Sequence, residues 1–403
     1  MSLMTFDEAL ARLLAAAQAD TRQQSLPLNE CDGRVLAQDV IAPIAVPGFD
    51  NSAMDGYALH IADFAQIPAS LPVVQRIAAG ATGQPLAANS AARIFTGAPV
   101  PPGCNAVVPQ EEVNAGDAAI SLETPPRPGQ HIRRLGEDIA AGSTVLHAGQ
   151  RLAPQHIALA ASLGIAELAV HPRLRVGLLC TGDELTQPGQ PLPAGGIYNS
   201  NQFAIAGLLG RLGCQVNDYG KVADSHDATL AALRHAAREN DVVITCGGVS
   251  VGEEDHVKAA VSELGQLDLW RIAIKPGKPL AFGKVGQADF IGLPGNPVSA
   301  FLTFLLLARP FLLRRMACPS QPAAALQVSA GFDWPRADKR REFLRARLEV
   351  DSVGGLSATL YPSQGSAVMS SLAWAGGLID LPAGHTVTKG DTVRYLPLDQ
   401  LIG

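Results

Sequence analysis

A chain of 403 residues, 47% hydrophobic and 17% charged, has the apolar material for a sizeable core and the length for more than one domain, and is not intrinsically disordered. Its net charge of −6 comes without any Lys/Arg run, which excludes a nucleic-acid-binding arm. Six cysteines show no CxxC or pairing pattern, and nine histidines form no HxxxH or HExxH cluster, which argues against a disulfide scaffold and a zinc site; Cys180, Cys214 and Cys246 read as buried thiols of a reducing cytoplasm.

Thr5-Phe6-Asp7-Glu8 has the pattern of a capping box, and Leu10, Leu13 and Leu14 continue it as a helical stripe. The acidic residues there argue against an export signal. Residues 1–45 hold this helix and an extended piece ending near Pro43. Over residues 46–140, short apolar runs (Val73–Ala79, Arg93–Phe95, Ala106–Val108, Ala119–Leu122) alternate with Gly/Pro clusters, which predicts a small β domain. Residues 141–172 return to a helix, Pro154 to Gly164, flanked by short strands.

Residues 173–322 alternate strand and helix patterns. Arg175 to Cys180 is a strand. Asn199 to Gly213 is a helix with Phe203, Leu208, Leu209 and Leu212 on its apolar side. A strand near Cys214–Val222 follows, then a helix Asp227–Asn240 opened by Asp224 or Ser225 as cap. This alternation predicts a doubly wound, largely parallel sheet covered on both faces. The most apolar run, Pro297 to Ala308, is too short to span a membrane and stops at Arg309-Pro310, so it reads as a buried helix. Residues 323–403 are short strands with turns at Gly354-Gly355, Gly376-Gly377, Ala383-Gly384 and Lys389-Gly390, a small β barrel or sandwich.

Three turn clusters fall at strand ends between residues 241 and 300. The β-branched run Asp241–Cys246 stops at Gly247-Gly248, Gly252 closes the loop, and Glu253-Glu254-Asp255 opens the next helix. Backbone N–H groups at such a turn cradle phosphate or another oxyanion. Lys275-Pro276-Gly277-Lys278-Pro279 aims two ammonium groups from a rigid turn. Arg271, Ala273 and Lys275 alternate along a strand, so Arg271 and Lys275 are expected on one face. In Gly292–Pro297, Asn296 is expected to cap a helix whose first residue is Pro297. Each cluster alone is an ordinary turn; three at one edge of an α/β unit mark a ligand site, since open sheets bind ligands at the carboxyl ends of their strands. Neither GxGxxG nor GxxxxGK[ST] occurs, so a common dinucleotide fold or P-loop is excluded.

TGDEL at 181–185, GGVSVGEED at 247–255, KPGKP at 275–279 and GLPGNPVSA at 292–300, with FDNSAMDGYAL at 49–59 and FTGAPVPPGCNAVVPQEE at 95–112, resemble the molybdopterin molybdenumtransferase family, which includes MoeA and the gephyrin E domain. The resemblance covers nearly the whole chain in colinear order. It implies a multidomain α/β-plus-β fold: an elongated, discontinuous first domain (1–45 and 141–172), an inserted small β domain (46–140), a doubly wound α/β molybdopterin-binding domain (173–322) and a C-terminal small β barrel (323–403). The activity implied is insertion of molybdate into adenylylated molybdopterin with Mg²⁺, releasing AMP. The implied alternatives are a tungstate-preferring enzyme and a gephyrin-like scaffold, although gephyrin's extra domain and linker are absent.

The resemblance also implies the site. Asp55, Glu184 and Asp255 are the metal-binding carboxylates, with Asp224 and Asp138 as further acids near the substrate. From the residues alone, Asp55 reads as a polar turn, one of Asp183 and Glu184 is needed to cap the turn after the first strand, and Asp255 suits a helix N-terminus. Gly247, Gly248, Ser250 and Gly252 form the cradle, joined by Pro294 and Pro297. Lys275, Lys278 and Arg271 supply positive charge; Arg271 stands where the family usually has Lys. Thr96 offers a hydroxyl to an oxyanion. In the last domain Arg345 and Ser366 align with site residues, with Arg341, Arg347 and Ser363 close enough to compete. The implied partners are a second copy of the chain, sharing the active site across a homodimer, and transient contacts with the molybdopterin adenylyltransferase and cofactor-accepting enzymes. Neither nucleic acid nor a membrane is implied.

Overall fold

The computed structural model describes residues 3–64, 69–248, 256–319, 324–350 and 354–402. Helix α1 (Phe6–Ala16) begins with the expected capping box: the Thr5 hydroxyl accepts from the Glu8 N–H, and the Glu8 carboxylate accepts from the Thr5 N–H. Its buried face, Ala9 and Leu13, packs in the large core that contains Val176, Leu178 and Leu312. A backbone bridge joins Met4 to Ile272. The helix that sequence grouped with residues 20–45 therefore packs on the α/β unit.

The remainder of the N-terminal piece pairs with the segment after the β insertion. Gln24–Pro27 runs antiparallel to Glu167–Val170, and Val40–Ile41 to Thr144–Leu146. Between them, six strands from Gly56–Leu59 to Ala119–Leu122 form a sheet of their own over two small cores.

The α/β unit is a six-stranded sheet of β1 (Arg175–Thr181), β2 (Gln215–Val222), β3 (Val242–Cys246), β4 (Gly265–Arg271), β5 (Pro279–Val285) and β6 (Ala288–Leu293), in the order β2-β1-β3-β6-β5-β4. The first four are parallel; β5 and β4 close the edge antiparallel. Alternation of side chains sends Val176, Leu178 and Cys180 to one face and Leu179 to the other. Helix α2 (Ser200–Leu212) covers the first face; α3 (His226–Glu239) and α4 (His256–Leu264) cover the second. The Ser225 hydroxyl, not Asp224, caps α3 by accepting from the Ala228 N–H at 3.4 Å. Phe203 is 56% exposed, contrary to expectation. The buried stripe of α2 is Ile205, Leu208, Leu209 and Leu212, and Phe203 lies two residues, about 200°, away from its first member.

Helix α5 runs from Pro297 to Arg315, beyond the expected stop at Arg309-Pro310. Proline normally ends a helix because its ring meets the carbonyl four residues back. Here the turn before it, Phe304–Ala308, is π-helical, and the wider turn lets the helix continue. The full helix is long and apolar enough to cross a membrane, but 72% of its apolar window is buried inside the protein, as in a core helix.

The last region is a closed five-stranded barrel of β7 (Leu326–Ala330), β8 (Arg341–Val350), β9 (Leu356–Leu360), β10 (Gly377–Leu381) and β11 (Thr392–Pro397), in the order β8-β9-β7-β11-β10 and back to β8.

Candidate active site at the strand ends

A cleft of about 800 Å³ opens at the carboxyl ends of β1, β3 and β6. Its wall takes Thr181, Gly182 and Glu184 from the β1 loop, Gly247 and Gly248 after β3, and Pro294 to Pro297 after β6. Asp224, and Ala367 and Met369 from the barrel region, also line it. The elements explain the geometry. Gly247 and Gly248 have φ of 95° and 65°, the left-handed region that glycine enters freely. A Cβ on Gly247 would stand 2.9 Å from the Thr181 carbonyl oxygen. Gly182 has φ of 140°, and a Cβ there would strike the Glu184 carboxylate at 2.6 Å. Glycine at 182 thus lets that carboxylate fold back along the cleft wall.

The two neighbouring acids divide the work that sequence left open. The Asp183 carboxylate faces the Asp224 N–H at 3.4 Å, and the Asp183 carbonyl accepts from the Lys221 ammonium. Glu184 lines the cleft. With Ser225 acting as the α3 cap, Asp224 also presents its side chain there. Two helix N-termini face the same space. Asn199 caps α2 by accepting from the Gln202 N–H, and Asn201 ties that terminus to the β6 loop through the Gly295 carbonyl at 2.7 Å. Asn296 and Pro297 stand where the sequence placed them at the start of α5, but the Asn296 side chain makes no capping hydrogen bond and lines the cleft instead.

Two carboxylates beside a phosphate-type cradle form a hard oxygen set that suits Mg²⁺, which commonly takes one or two protein ligands and completes its shell with phosphate oxygens and water. Among the described residues, no group of three His, Cys, Asp or Glu side chains converges as a metal site.

Among the described residues, several expected ones do not line this cleft. Ser250, Gly252 and Asp255 fall outside the described residues. Arg271 ends β4, whereas Ile274-Lys275 pairs with Arg341-Glu342 of the barrel. Arg271 and Lys275 therefore do not share a strand face, a correction caused by the chain crossing between sheets at 272–273. The Lys275 ammonium lies 2.8 Å from Glu342 and 3.3 Å from Asp338. The Glu342 contact, above all, raises its pKa. Lys278 is exposed at the same turn.

Arg345 is fully buried. Its guanidinium donates to the Ser371 hydroxyl and the Gly365 and Phe343 carbonyls, and burial lowers its pKa to about 10. The Ser366 carbonyl accepts from the Val298 N–H in the first turn of α5 at 3.0 Å. Arg341 pairs with Asp380 and Arg347 with Glu349.

Asp55 and Thr96 meet within the inserted domain: the Thr96 N–H and hydroxyl both donate to one Asp55 oxygen, at 2.8 and 2.7 Å, and hold its carboxyl below the usual range. Neither lines the cleft of its own chain. Asp138 is an exposed acid whose N–H donates to the Val46 carbonyl. Sequence reasoning did not single out Thr181, Tyr198, Asn199, Asn201 or His256, all on the cleft wall. The Asn at a helix start was the only signal available for that group.

A glycine turn, two acids and two helix starts lining one cleft at the carboxyl edge of an α/β sheet, in a protein with an inserted β domain and a closed barrel, define a multidomain protein whose cleft has the make-up that suits an oxyanion-bearing ligand. The chain matches the MoeA N-terminal region (domain I and II) over residues 4–164, a probable molybdopterin binding domain over 177–314 and the MoeA C-terminal region (domain IV) over 327–398. It is 40% identical over the whole length of both chains to a protein from Haemophilus influenzae named molybdopterin molybdenumtransferase. It is 39% identical to molybdopterin molybdenumtransferase 2 of Mycobacterium tuberculosis, covering 92% of this chain and 94% of the relative. The crystal structure of the molybdopterin biosynthesis MoeA protein from Pyrococcus horikoshii OT3 superposes with a TM-score of 0.85 at 29% identity, covering 98% of this chain and all of that one. The chain belongs to the MoeA family.

Proposed function

We propose that this protein is a molybdopterin molybdenumtransferase of molybdenum cofactor biosynthesis. It inserts molybdate into adenylylated molybdopterin, assisted by Mg²⁺, and releases AMP. The observation that carries the reading is the cleft at the ends of β1, β3 and β6, which the Gly247-Gly248 turn and the starts of α2 and α5 line together with Glu184 and Asp224. No observation favours the scaffold or tungstate alternatives.

In this reading the Gly247-Gly248 turn and the α2 and α5 termini seat the phosphates. Glu184, with Asp224 nearby, holds the cation, and Mg²⁺ when bound supplies a hard Lewis acid to the phosphate oxygens. Lys278 and Arg271 offset the accumulated negative charge of nucleotide and oxyanion. Asp55 and Thr96 act as a prearranged pair supplied by the inserted domain of a second subunit. The enzyme works in a reducing cytoplasm, receiving its substrate from the adenylyltransferase and passing product to cofactor-accepting enzymes.

The test is to incubate the protein with adenylylated molybdopterin, Mg²⁺ and molybdate and to measure AMP. Release is expected to require all three, to cease in EDTA, and to fall by at least about 10–100-fold in Glu184→Gln, since loss of a direct ligand exceeds loss of a supporting one. Release that persists in EDTA overturns the metal role, and no release from the complete mixture overturns the activity.

A further inference from the structure

The cleft floor carries two thiols that the chemistry above does not use. Cys180 ends β1 and Cys246 ends β3, and they are direct register partners on neighbouring parallel strands. Register partners on parallel strands point to the same face, and both side chains belong to the same core cluster. Both are free, at 1% and 3% exposure. The two side chains share one core cluster, and each thiol shifts the acidity of the other. Cys246 also forms part of the cleft wall, which sets the pair directly beneath the cleft.

Paired strands lie about 4.7–4.9 Å apart, within the roughly 4.4–6.8 Å Cα separation that a disulfide spans. Same-face side chains on parallel strands stand nearly as far apart as their strands, whereas a disulfide draws its Cβ atoms to about 3.8 Å. Closing the bond would therefore pull the ends of β1 and β3 together, and bonds formed under such strain are the readily reduced, regulatory kind. The residues that follow are Thr181-Gly182 on one strand and Gly247-Gly248 on the other, the two sides of the glycine cradle.

We propose that Cys180 and Cys246 form a reversible dithiol–disulfide couple, oxidised by hydrogen peroxide, that closes beneath the cleft and displaces the glycine cradle. The first step transfers one oxygen from peroxide to one sulfur, giving a sulfenic acid and one water. The neighbouring thiol then attacks that sulfur, the S–S bond forms, and the hydroxyl leaves with the thiol proton as a second water. Two electrons pass from the thiols to one peroxide, and a small thiol reductant reverses the change. The environment supports the first step: the neighbouring S–H and the Asn199 side chain lower the Cys180 pKa, while the same contact and burial raise that of Cys246. One thiolate is thereby favoured over two, leaving a protonated partner to condense.

The experiment treats the full-length protein with hydrogen peroxide, alkylates remaining thiols, and maps the peptides by mass spectrometry. In parallel, hydrogen exchange is followed at the amides of residues 181–185 and 247–248, and AMP binding is measured by calorimetry, each before oxidation, after it, and after re-reduction with dithiothreitol. The expected result is a Cys180–Cys246 linkage, altered exchange in both segments and a severalfold loss of AMP affinity, all reversed by reductant and absent in Cys180→Ser. Recovery of Cys180 and Cys246 as unlinked thiols after oxidation overturns the proposal, and so does a linkage that leaves exchange unchanged. The AMP measurement rests on the nucleotide reading of the cleft. If the reduced protein binds no AMP, that reading fails, and mapping with exchange still decides the couple.

Discussion

Two alanine substitutions separate what the cradle glycines do for the fold from what they do for the ligand. Gly248 has φ of 65°, and a Cβ there would stand 2.3 Å from Val257 Cγ2 and 3.0 Å from the Thr181 hydroxyl. The left-handed conformation costs a non-glycine residue about 1–2 kcal/mol, and forcing a methyl against the Val257 core adds about 1–3 kcal/mol. Gly248→Ala is therefore expected to lose about 2–5 kcal/mol of stability, a large share of the roughly 5–15 kcal/mol that holds a domain folded. Gly295 presents the opposite case. It has no positive φ, and the nearest atom to its added Cβ is the Gly247 Cα at 3.8 Å, an ordinary contact. Gly295→Ala is expected to change stability by no more than about 0.5 kcal/mol. Its methyl nevertheless stands on the cleft wall beside Gly247, where the proposed reading brings a phosphate close to the backbone. An ill-fitting methyl in a shaped pocket costs about 1–3 kcal/mol, so AMP affinity is expected to fall about tenfold or more. Denaturant unfolding reads the first effect and calorimetry with AMP the second. Wild-type stability in Gly248→Ala would refute the backbone argument, and wild-type AMP affinity in Gly295→Ala would remove the phosphate from this turn.

Thr96→Val keeps the backbone donor to Asp55 but removes the hydroxyl. Both bonds lower the Asp55 pKa, so the variant raises it, and the acidic limb of the AMP-release profile is expected to move to higher pH; an unmoved limb places Asp55 outside the working site. Lys275→Met and Glu342→Gln, taken as a double-mutant cycle, are expected to show a coupling of about 1–2 kcal/mol, between the values for exposed and buried pairs, because the Lys275 side chain is 38% exposed and that of Glu342 only 2%. Since Glu342 raises the Lys275 pKa, the coupling should be present at neutral pH and fade only as pH rises past the ordinary lysine range; zero coupling by denaturant unfolding at pH 7 would show the pair to be passive.

The features legible in the sequence were those decided by neighbours along the chain. The strand-and-helix sequence of residues 173–240 marked β1 from Arg175, the Thr5–Glu8 box marked α1, and Gly213, with φ of 90°, ends α2 where the sequence placed its end. What escaped was decided by partners distant in sequence. The strand pair that joins Gln24–Pro27 to Glu167–Val170 leaves no local pattern, so the discontinuity of the first domain came from the family resemblance alone. Lys275 looked like the continuation of a strand through Arg271 because nothing local signals that the chain leaves one sheet for the barrel. Arg345 was set near the site by the resemblance alone; no local pattern signals that its guanidinium spans Ser371 and Gly365 beside the segment whose Ser366 carbonyl meets α5. The motif glycines were legible as turns, but only the approach of Thr181 and Val257 explains why no side chain fits.

The separation of Asp55 and Thr96 from the cleft of their own chain leads to the decisive test of a shared site. Asp55 lies in the inserted domain, Glu184 on the β1 loop, and only Glu184 lines the cleft. If a two-fold dimer brings the inserted domain of one subunit to the cleft of the other, each cleft takes Asp55 from one chain and Glu184 from its partner, and symmetry makes both clefts equivalent. Asp55→Ala and Glu184→Ala homodimers should then each be inactive in AMP release. Dissociated, mixed in equal amounts and reassociated at random, they give about half heterodimers. In every heterodimer one cleft collects both substitutions and the other collects neither. The mixture should thus recover about a quarter of wild-type activity. If both residues served a cleft of the same chain, every cleft in every dimer would keep one defect and nothing would return. A mixture that mass spectrometry shows to contain heterodimers, and that still releases no AMP, rules out the shared site.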